Sequence, residues 1–500
     1  MVESRISLRK HSPKPEAIRL VPEDMARKYT AIPLEIHGNT LTVAMANPAD
    51  IFALEALASY TQMRIETQSA TPSAIQEAID FNYQSFSEIE KQVSHIETAE
   101  EDEPQHFKLT TLTDAPVAQA LILIIDEAVK ARASDIHLQP QEDKLRVRYR
   151  IDGTLHDALS LPAATCVPLI SRIKVLANMN IADRHRPQDG QFSVEAKGRY
   201  IDIRVGTTPT VHGEMAALRL LYKARATMTL PELGFSADSL TLFEQMLKTP
   251  YGMILVSGPT GAGKTTTLYA SINCLDSIGR NIITIEDPVE YRFKNINQIQ
   301  VNNKSGMTFA SGLRSILRLD PNVILVGEIR DAETANIAVQ SALTGHLVLS
   351  SIHANDATGV IFRLLDLGIE PFLVASSLAG IVAQRMVRRI CPECARPVKV
   401  TVLEQMLYTK EAKDERSEFL YGSGCQNCAQ TGYMGRMGIF EILHMNDELR
   451  TQLIKGTSTA ELRATALKSG MTTLLRDGML KVKANYTTPS EVMKHAYSVE

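Results

Sequence analysis

Continuous apolar runs alternate with helical stretches in the second half of the chain, from Tyr251 onward. The runs lie in GMILVSG, NIITIED, NVILVGEIRD and GHLVLSSIHAND, and each is bounded by Gly, Asp or Glu. Strands that are buried on both faces of a parallel sheet have this pattern, and helices connect such strands. The second half of the chain is therefore predicted to form a parallel βαβ sheet.

Two hairpins are predicted before this sheet, within residues 110–224. The segment DKLRVRYRIDGTL alternates apolar and basic positions and ends at an Asp-Gly turn, which is typical of a half-buried strand. The segment RYIDIRVGTTPTVHGEMAALRLL repeats the pattern. Residues 1–84 alternate short apolar runs, turns and helical stretches, which indicates a small α/β module.

Composition and charge restrict the class of protein. The length of 500 residues fits three or four domains, and a 44% hydrophobic and 22% charged composition is typical of globular chains. A net charge of −4 argues against a protein permanently coated with nucleic acid. No apolar run is long enough to span a membrane, and the N-terminus lacks the apolar segment of a secretory signal, so a cytosolic location is expected.

An acidic segment separates the first module from the hairpins. Residues 85–109 contain the run Glu100-Glu101-Asp102-Glu103 and few apolar positions. Such a segment buries too little apolar surface to fold by itself, so it is predicted to be a flexible linker.

The segment GPTGAGKT matches the pattern GxxxxGK[ST] of a phosphate-binding loop, and it stands between a buried strand and the helical TTTLYASINCL. Gly258 and Gly263 allow backbone N–H groups to turn toward phosphates, and Lys264 supplies a positive charge. The Thr265 hydroxyl is a candidate ligand for Mg²⁺. The predicted nucleotide-binding residues are Gly258, Pro259, Thr260, Gly261, Ala262, Gly263, Lys264, Thr265 and Thr266.

Hydrolysis at such a loop also requires one carboxylate at the metal and another that positions the attacking water. Glu328 follows the buried run NVILVG, and Glu286, Asp287 and Glu290 follow the run NIITI. A single acidic residue at a strand end is often a helix cap. Two clusters on successive strands of one sheet favour a catalytic interpretation.

His346 and His353 stand at the start and the end of the apolar run in TGHLVLSSIHAND. A lone histidine at a strand end is more often structural than catalytic. Two of them beside a phosphate site are also candidates for sensing the γ-phosphate, because imidazole donates hydrogen bonds and titrates near neutral pH.

Arginines recur on the predicted hairpins, at Arg146, Arg148, Arg150, Arg204 and Arg219. Basic residues on an exposed strand face usually serve solubility alone. Their position beside a nucleotide-binding domain makes some of them candidates for contacting phosphate.

Four cysteines form two CxxC pairs, Cys391 with Cys394 and Cys425 with Cys428, separated by 30 residues. Four thiolates in this arrangement favour tetrahedral zinc, and the protein then fills every ligand position, as in a structural site. Unligated thiols and a redox-active pair are the alternatives, although a redox site needs only one pair. The segment LEQMLYTKEAKDE between the pairs is predicted to be helical.

These motifs together resemble the secretion ATPase superfamily, and more narrowly the GspE/PilB-like assembly ATPases of type II secretion and type IV pilus systems. The resemblance covers residues 110–500, and residues 15–84 resemble the N-terminal docking domain of that family. Besides the cysteine pairs it rests on ASDIHLQPQEDKLRVRYRIDG, DRHRPQDGQF, PTVHGEMAALRLL, GPTGAGKTTTLY, ITIEDPVEY, GLRSILRLDPNVILVGEIRDAETANIA, TGHLVLSSIHAND and GYMGRMGIFEIL.

The resemblance implies a multidomain α/β fold around a RecA-like P-loop ATPase core. The implied parts are a small α/β docking domain at 1–84, an acidic flexible linker at 85–109, a PAS-like α/β domain at 110–225, the RecA-like domain at 226–390, a tetracysteine zinc-binding subdomain at 391–430 and a C-terminal helical subdomain at 431–500.

The resemblance also implies the roles of the residues around ATP. Lys264 and Thr265 would hold phosphate and Mg²⁺, and Glu328 would act at the metal. Glu290 would orient or activate the attacking water, with Glu286 as the nearest alternative.

Three further residues acquire roles in the same way. His353 would link the nucleotide state to the domain interface. Arg204 and Arg219 resemble arginines that the second domain presents to bound nucleotide, where they stabilise charge in the transition state. The chain departs from the family at Asn322, where an aspartate is usual, and in SSIHAND, where TLHTND is commoner.

The implied function is that of a homo-hexameric ATPase that powers assembly of a pilin-type filament. It would be cytoplasmic and attached peripherally to a bacterial inner membrane, through a platform protein and a membrane docking protein with a cytoplasmic domain. The compact N-terminal module favours the type II secretion pseudopilus, and assembly of a type IV pilus is the alternative. The cysteine pairs are absent from retraction ATPases, so retraction is disfavoured.

Two alternatives come from other functional classes. A P-loop motor that translocates nucleic acid would share the core, but the acidic isoelectric point and the lack of an aromatic stacking platform oppose it. A scaffold that binds ATP without hydrolysing it is opposed by the presence of Glu290 and Glu328.

Overall fold

The computed structural model describes residues 13–80, 83, 116–196, 199–222, 228–275 and 279–496. The chain divides into two compact units. The first comprises Met1–Tyr222, Cys391–Cys394 and Gly422–Met434, and the second comprises Lys223–Ile390, Ala395–Tyr421 and Gly435–Glu500. The cysteine-bearing segments therefore group with the first unit, although the chain enters and leaves them from the second.

The N-terminal part of the first unit is a small three-stranded α/β module. In β1-β2-β3, the first two strands are antiparallel and the last two are parallel. The predicted strand–turn–strand and the helices after it are confirmed. The elements are α1 Pro15–Ile18, α2 Glu23–Lys28, β1 Ala31–His37, β2 Thr40–Met45, α3 Ile51–Thr61, β3 Arg64–Ser69 and α4 at 72–80.

The second part of this unit is a six-stranded antiparallel sheet in the order β6-β5-β4-β9-β8-β7. Its apolar face packs on two helices, and its other face carries the polar residues of the alternating pattern. Both predicted hairpins are confirmed. The elements are α5 Pro116–Lys130, β4 Ala133–Pro140, β5 Lys144–Ile151, β6 Thr154–Pro162, α6 Cys166–Leu176, β7 Gln188–Ala196, β8 Arg199–Thr210 and β9 Gly213–Leu221.

The second unit is built on a seven-stranded sheet in the order β12-β11-β13-β14-β10-β15-β18. The pairs formed by the strands from β10 to β15 are parallel, as the continuous apolar runs predicted. Its elements up to that strand are α7 Ala237–Leu247, β10 Gly252–Ser257, α8 Lys264–Asn273, β11 Ile282–Glu286, β12 Asn297–Gln300, α9 Phe309–Ile316, β13 Val323–Val326, α10 Ala332–Leu343, β14 Leu347–Ile352, α11 Ala357–Asp366, α12 Pro371–Ser377 and β15 Leu378–Ile390.

The central strands are apolar at most positions because hydrophobic cores cover both faces of the sheet. In β10, Met253 and Leu255 belong to one core cluster, whereas Ile254 and Val256 belong to the other. All four side chains are fully buried. This arrangement leaves polar chemistry to the strand ends, where the chain leaves the sheet.

The C-terminal region begins with a strand that the sequence analysis did not predict. The run MGIFEIL lies in β18, which forms an edge of the seven-stranded sheet, and helices follow it. The helix predicted between the cysteine pairs is α13. The elements are β16 Ala395–Lys399, α13 Val402–Ala412, β17 Glu418–Gly422, β18 Tyr433–His444, α14 Asp447–Ile454, α15 Thr459–Lys468, α16 Leu474–Lys483 and α17 Pro489–Ala496.

A buried ion pair attaches the last helix to β15. The Arg388 guanidinium donates two hydrogen bonds to the carboxylate of Glu491, at 2.9 and 2.7 Å, and His495 Nε2 lies 3.2 Å from the same carboxylate. Burial by itself raises the pKa of Glu491, but the bonds from His495 and Arg388 outweigh it and bring the pKa down to about 2.

We expect Glu491→Gln to lower the free energy of unfolding by about 3 kcal/mol at neutral pH, because it removes the buried carboxylate that Arg388 and His495 contact. The pKa of Glu491 is lower in the folded chain than in the unfolded chain. The ion pair therefore stabilises the wild-type fold fully above pH 4.5, and this stabilisation is lost as the pH falls toward 2. Thermal unfolding at several pH values measures both effects. The exposed Glu415→Gln variant is the control, and equal melting temperatures for the two variants would contradict this account.

Candidate functional site

The phosphate-binding loop connects the end of β10 to the start of α8. Gly258 has φ +148°, and a Cβ there would lie 2.5 Å from the carbonyl oxygen of Gln384 on β15. Gly263 has φ +88°, and a Cβ there would lie 3.2 Å from Gln384 Nε2 and 3.3 Å from Met386 Sδ. A side chain at Gly258 would collide with the backbone of β15, and the positive φ would strain a side chain at either position, so both positions favour glycine.

Lys264 begins α8 and folds over its own loop. Its Nζ donates hydrogen bonds to the carbonyl oxygens of Gly258, at 2.8 Å, and of Pro259, at 3.1 Å. Burial lowers the pKa of the Lys264 ammonium, Glu328 raises it and Arg385 lowers it again. A phosphate would offer this desolvated cation a better partner than the two carbonyls.

The other predicted loop residues surround the N-terminus of α8. Thr265 is exposed in the first turn, where its hydroxyl is accessible to a ligand, and Thr266 is half-buried. Ala262 is buried. Pro259, Thr260 and Gly261 are exposed. The N-terminus of α8 and the backbone N–H groups of the loop form the positive end that binds anions.

Gln384, which was not among the predicted site residues, holds this loop in place. Its side chain is 1% exposed. Its Nε2 donates to the carbonyl oxygen of Ala262 at 2.6 Å, and its Oε1 accepts from Thr267 Oγ1 at 2.8 Å. A glutamine inside the apolar run LAGIVAQRM was the available signal, because a buried amide needs polar partners.

Glu328 lies just beyond β13, at the carboxyl edge of the sheet. Its side chain is 17% exposed and forms an ion pair with Arg330. His353, just beyond β14, approaches to 3.9 Å between Nε2 and a Glu328 oxygen. The structure therefore brings Glu328 and His353 together, and Lys264 is close enough for Glu328 to raise its pKa.

Glu286 and Glu290 occupy different environments after β11. The Glu286 carboxylate is 4% exposed and accepts hydrogen bonds from Tyr269 Oη, from Thr284 Oγ1 at 2.6 Å and from Gln298 Nε2 at 3.1 Å. Glu290 is half-buried, and its backbone N–H donates to Tyr269 Oη at 3.2 Å. A carboxylate saturated by buried donors is a structural group, so Glu290 is the better candidate for activating water.

His346 and Asn322 lie at the opposite, amino edge of the sheet. His346 Nδ1 is 2.9 Å from the carbonyl oxygen of Ser341. Asn322 Oδ1 accepts from the backbone N–H of Asn281 at 2.7 Å. Neither residue lies at the phosphate-binding loop. The asparagine at position 322, where the family usually has an aspartate, therefore stands just before the start of β13 and not in the nucleotide site.

Arg204 and Arg219 lie side by side in the first unit. The two are paired positions in the β8–β9 register, and Arg219 is paired with Asp135 on β4. Arg219 Nε lies 3.2 Å from Asp135 Oδ1, and Arg150 Nε lies 3.5 Å from the other oxygen of the same carboxylate. Asp135 thus shares its carboxylate between two arginines, and Arg204 is the neighbour of one of them on the sheet.

The two cysteine pairs converge on one point. The Sγ atoms of Cys391, Cys394, Cys425 and Cys428 all lie within 4.8 Å of one another. The separations of 3.7 Å between Cys391 and Cys425, and 3.9 Å between Cys394 and Cys428, match the ~3.8 Å sulfur separation of tetrahedral zinc with Zn–S bonds of about 2.3 Å. The donor set therefore fits a structural zinc ion.

The second cysteine pair also contacts the six-stranded domain. Arg132 Nη1 donates to the carbonyl oxygen of Asn427 at 3.2 Å, and Ala429 packs against the core of that domain. Backbone N–H groups of Cys425 and Gly432 donate to Cys428 Sγ, each at 3.2 Å. Such bonds stabilise a thiolate, which is the form that binds a metal.

Comparison with known proteins adds the family. The model of the type II/IV secretion system protein family matches residues 110–494, and the MshEN domain model matches residues 3–88. The type IV pilus assembly ATPase PilB of Myxococcus xanthus is 42% identical over 497 residues, or 98% of this chain and 88% of the relative. Type II secretion system protein E of Dickeya dadantii is 40% identical over 489 residues, or 96% and 97%.

Solved structures agree with the α/β fold. The ADP-bound pilus retraction motor PilT is 27% identical, with a TM-score of 0.50 over 75% of this chain and 97% of that chain. The ATPase DotB of Legionella pneumophila is 19% identical, with a TM-score of 0.56 over 79% and 97%, and shows the likeness of the fold.

The environments of Glu286 and Glu290 predict that substitution affects stability much more at Glu286 than at Glu290. We expect Glu286→Gln to lower the free energy of unfolding by about 2 kcal/mol, because an amide nitrogen would face another buried donor. Glu290→Gln should stay within about 0.5 kcal/mol of wild type. Thermal unfolding measures both, and a Glu286→Gln protein as stable as the Glu290→Gln protein would contradict the structural role.

The convergent cysteines predict about one zinc ion per chain, measurable by atomic emission on the purified protein. We expect Cys428→Ser to lose the metal and to melt at a lower temperature, because the buried thiols lose their shared ligand. The exposed Cys274→Ser is the control and should retain both the metal and the melting temperature. A metal-free wild-type protein of full stability would contradict the zinc site.

Proposed function

The chain belongs to the type II/IV secretion system protein family and is an ATPase of a secretion or pilus-assembly machine, and we propose that it drives the type II secretion pseudopilus as a hexamer. The observation that carries the proposal is the grouping of Lys264, Glu328 and His353 at the carboxyl edge of one parallel sheet. Ligands of open α/β sheets bind at that edge.

The loop and the strand ends divide the work of hydrolysis. Lys264 and the backbone N–H groups of residues 258–266 bind the phosphates of ATP and neutralise charge as the γ-phosphoryl group leaves. Thr265 and Glu328 are the residues that would hold Mg²⁺, which supplies further charge neutralisation when bound. Glu290 orients the attacking water and accepts its proton.

His353 connects this chemistry to movement. Its imidazole faces Glu328 from the neighbouring strand, so a change of charge at the γ-phosphate alters the environment of both side chains. We infer that His353 transmits the nucleotide state to the domain interface. Domain movement then limits turnover, as is common in motors that couple hydrolysis to conformational change.

Arg204 and Arg219 contact the nucleotide from the six-stranded domain in this proposal. Arg219 and Arg150 share the carboxylate of Asp135, and Arg204 is paired with Arg219 in the β8–β9 register. In a homo-hexameric ring Arg204 and Arg219 stabilise the charge that develops on the transferred phosphoryl group. The four zinc ligands lie in the connection between β15 and β18, so the zinc site stabilises the conformation of that connection.

The N-terminal module is the proposed docking domain for a membrane protein with a cytoplasmic domain, and a platform protein of the inner membrane receives the motion. Its helix α3 exposes Ile51, Phe52 and Tyr60, with 83% of Phe52 accessible, which supports a protein contact there. Among the described residues, no helix is long and apolar enough to cross a bilayer. The proposed attachment to the inner membrane is peripheral and runs through these protein partners.

Assembly of a type IV pilus is the second candidate, because relatives of both kinds are about equally similar. The compact N-terminal module favours secretion, since it suits the docking of one component. The cysteine cluster favours filament assembly over retraction. A motor that translocates nucleic acid is not supported by the net charge of −4.

The proposal predicts steady ATP hydrolysis by the purified oligomer, insensitive to added DNA. Glu290→Gln should lower kcat at least about 100-fold, because general-base catalysis contributes that much, with ATP affinity retained. Phosphate release measured with and without DNA tests the hydrolysis and its insensitivity to DNA. Size-exclusion chromatography with light scattering tests the hexamer.

The outcomes separate the functional classes. Strong stimulation by DNA would favour a translocase. Tight ATP binding without turnover, even when the membrane partner is added, would make the protein a scaffold. Full activity in the Glu290→Gln variant would remove that residue from the mechanism and leave the ATPase assignment intact.

A further inference from the structure

Arg385 lies beside the phosphate-binding loop and has no role in the proposed steps of ATP hydrolysis. It follows Gln384 on β15, just past the last residue pair between that strand and β10, which joins Ser257 to Ala383. A Cβ on Gly258 would lie 3.4 Å from Arg385 Nη1. The guanidinium is therefore a near neighbour of the first residue of the loop.

The guanidinium spans two loops at the carboxyl edge of the sheet. Its Nη2 donates to the carbonyl oxygen of Asn355 at 2.7 Å, and its Nη1 donates to the carbonyl oxygen of Gln384 at 3.1 Å. Asn355 belongs to the segment that begins at His353 and leads into α11. Since β14 and β15 flank β10 on opposite sides, Arg385 crosses the end of β10 to reach that segment.

The charge of Arg385 is poorly neutralised. Arg330, Arg388 and Arg463, in the same unit, form ion pairs with carboxylates. Within the described part of the chain, Arg385 has no carboxylate in ion-pair distance, and its hydrogen bonds go to backbone carbonyls. Burial lowers its pKa, and the more distant Asp356 and Glu441 only partly oppose that effect.

A half-buried cation without a counter-ion, next to an anion-binding loop, is stabilised when an anion arrives. A guanidinium also has more N–H donors than two carbonyls use, and its remaining donors suit phosphate oxygens. The residue is close enough to Lys264 to lower the pKa of that lysine. The two cations therefore share one region of space, which a polyphosphate would neutralise.

The segment that Arg385 contacts is connected further into the unit. Asp356 caps α11 by accepting from the N–H of Gly359 at 2.7 Å, and it pairs with Arg463 at 3.1 Å. Arg463 also pairs with the buried Glu441 on β18, at 3.3 Å. A change at Asn355 is thus one residue away from a network that joins α11, α15 and β18.

We propose that Arg385 binds a phosphate oxygen of the nucleotide in the loop and, through its hydrogen bond to Asn355, orders the segment after His353 when nucleotide is present. The inference rests on the proposed ATPase function and deepens it. Arg385 adds to the nucleotide site a positive charge that comes from β15 of the same subunit. It also connects the segment after His353 to the bound phosphate.

Binding of a fluorescent ATP analogue to the full-length protein tests the phosphate contact. We expect Arg385→Gln to raise Kd at least tenfold, which corresponds to about 1.4 kcal/mol, and Arg385→Lys to recover most of the affinity because it retains the charge. Arg389→Gln is the matched control on the same strand, where the exposed Arg389 packs 5.7 Å from the Tyr486 ring. Its Kd should stay within twofold of wild type.

Hydrogen exchange tests the connection to the histidine segment. A non-hydrolysable ATP analogue should slow exchange in the peptide that covers 353–357 in the wild type and in Arg389→Gln. Arg385→Lys should bind the analogue without this protection, because one ammonium cannot bridge the phosphate and the Asn355 carbonyl as a guanidinium fork does. This variant provides the test even where the glutamine variant fails to fold.

Three results would overturn the inference. The first is an Arg385→Gln protein whose Kd equals that of the control. The second is an Arg385→Gln protein that loses thermal stability while its Kd stays unchanged. The third is an Arg385→Lys protein in which the ATP analogue slows hydrogen exchange of 353–357 as much as in the wild type. A wild-type protein that does not bind ATP at all would instead overturn the proposed function, so the two failures are distinguishable.

Discussion

The buried amide of Gln384 fastens the phosphate-binding loop to β15, and the other parts of the site are arranged around that contact. Its two hydrogen bonds fix Ala262 in the loop and Thr267 in the helix that follows. The same strand approaches Gly258 so closely that no side chain fits there. A loop whose backbone must present N–H groups to phosphate needs such an external support, because it has no secondary structure of its own.

A second constraint comes from the parallel sheet. Both faces are covered by core, so polar side chains with access to a ligand are confined to the strand ends. The carboxyl edge collects Lys264, Glu328 and His353, and the amino edge keeps His346 and Asn322 in backbone contacts. Position along a strand therefore separates the catalytic candidates from the structural ones.

The fold was predictable where a local pattern carries the information. Unbroken apolar runs predicted the parallel strands, alternation predicted the hairpins, and the spacing of Cys391, Cys394, Cys425 and Cys428 predicted one metal site. The edge strand β18 was not predicted, because its partner β15 is distant in the sequence and its apolar run also fits a buried helix.

The candidate site was predictable in its residue types but not in all its contacts. Choosing between Glu286 and Glu290 required the hydrogen bonds of Tyr269 and Gln298, which come from other elements. Gln384 was missed for the same reason. Its function depends on a loop more than a hundred positions earlier in the chain, and no local pattern records that contact.

The most direct test of the central claim is the affinity of Gln384→Met for ATP, measured by isothermal titration calorimetry beside the wild type. Methionine has a similar volume but can form neither hydrogen bond, so the core stays filled while the loop loses its support. We expect a Kd at least about tenfold higher, with a melting temperature within a few degrees of wild type. An unchanged affinity in a folded Gln384→Met protein would contradict the claim that β15 holds the loop in its binding form.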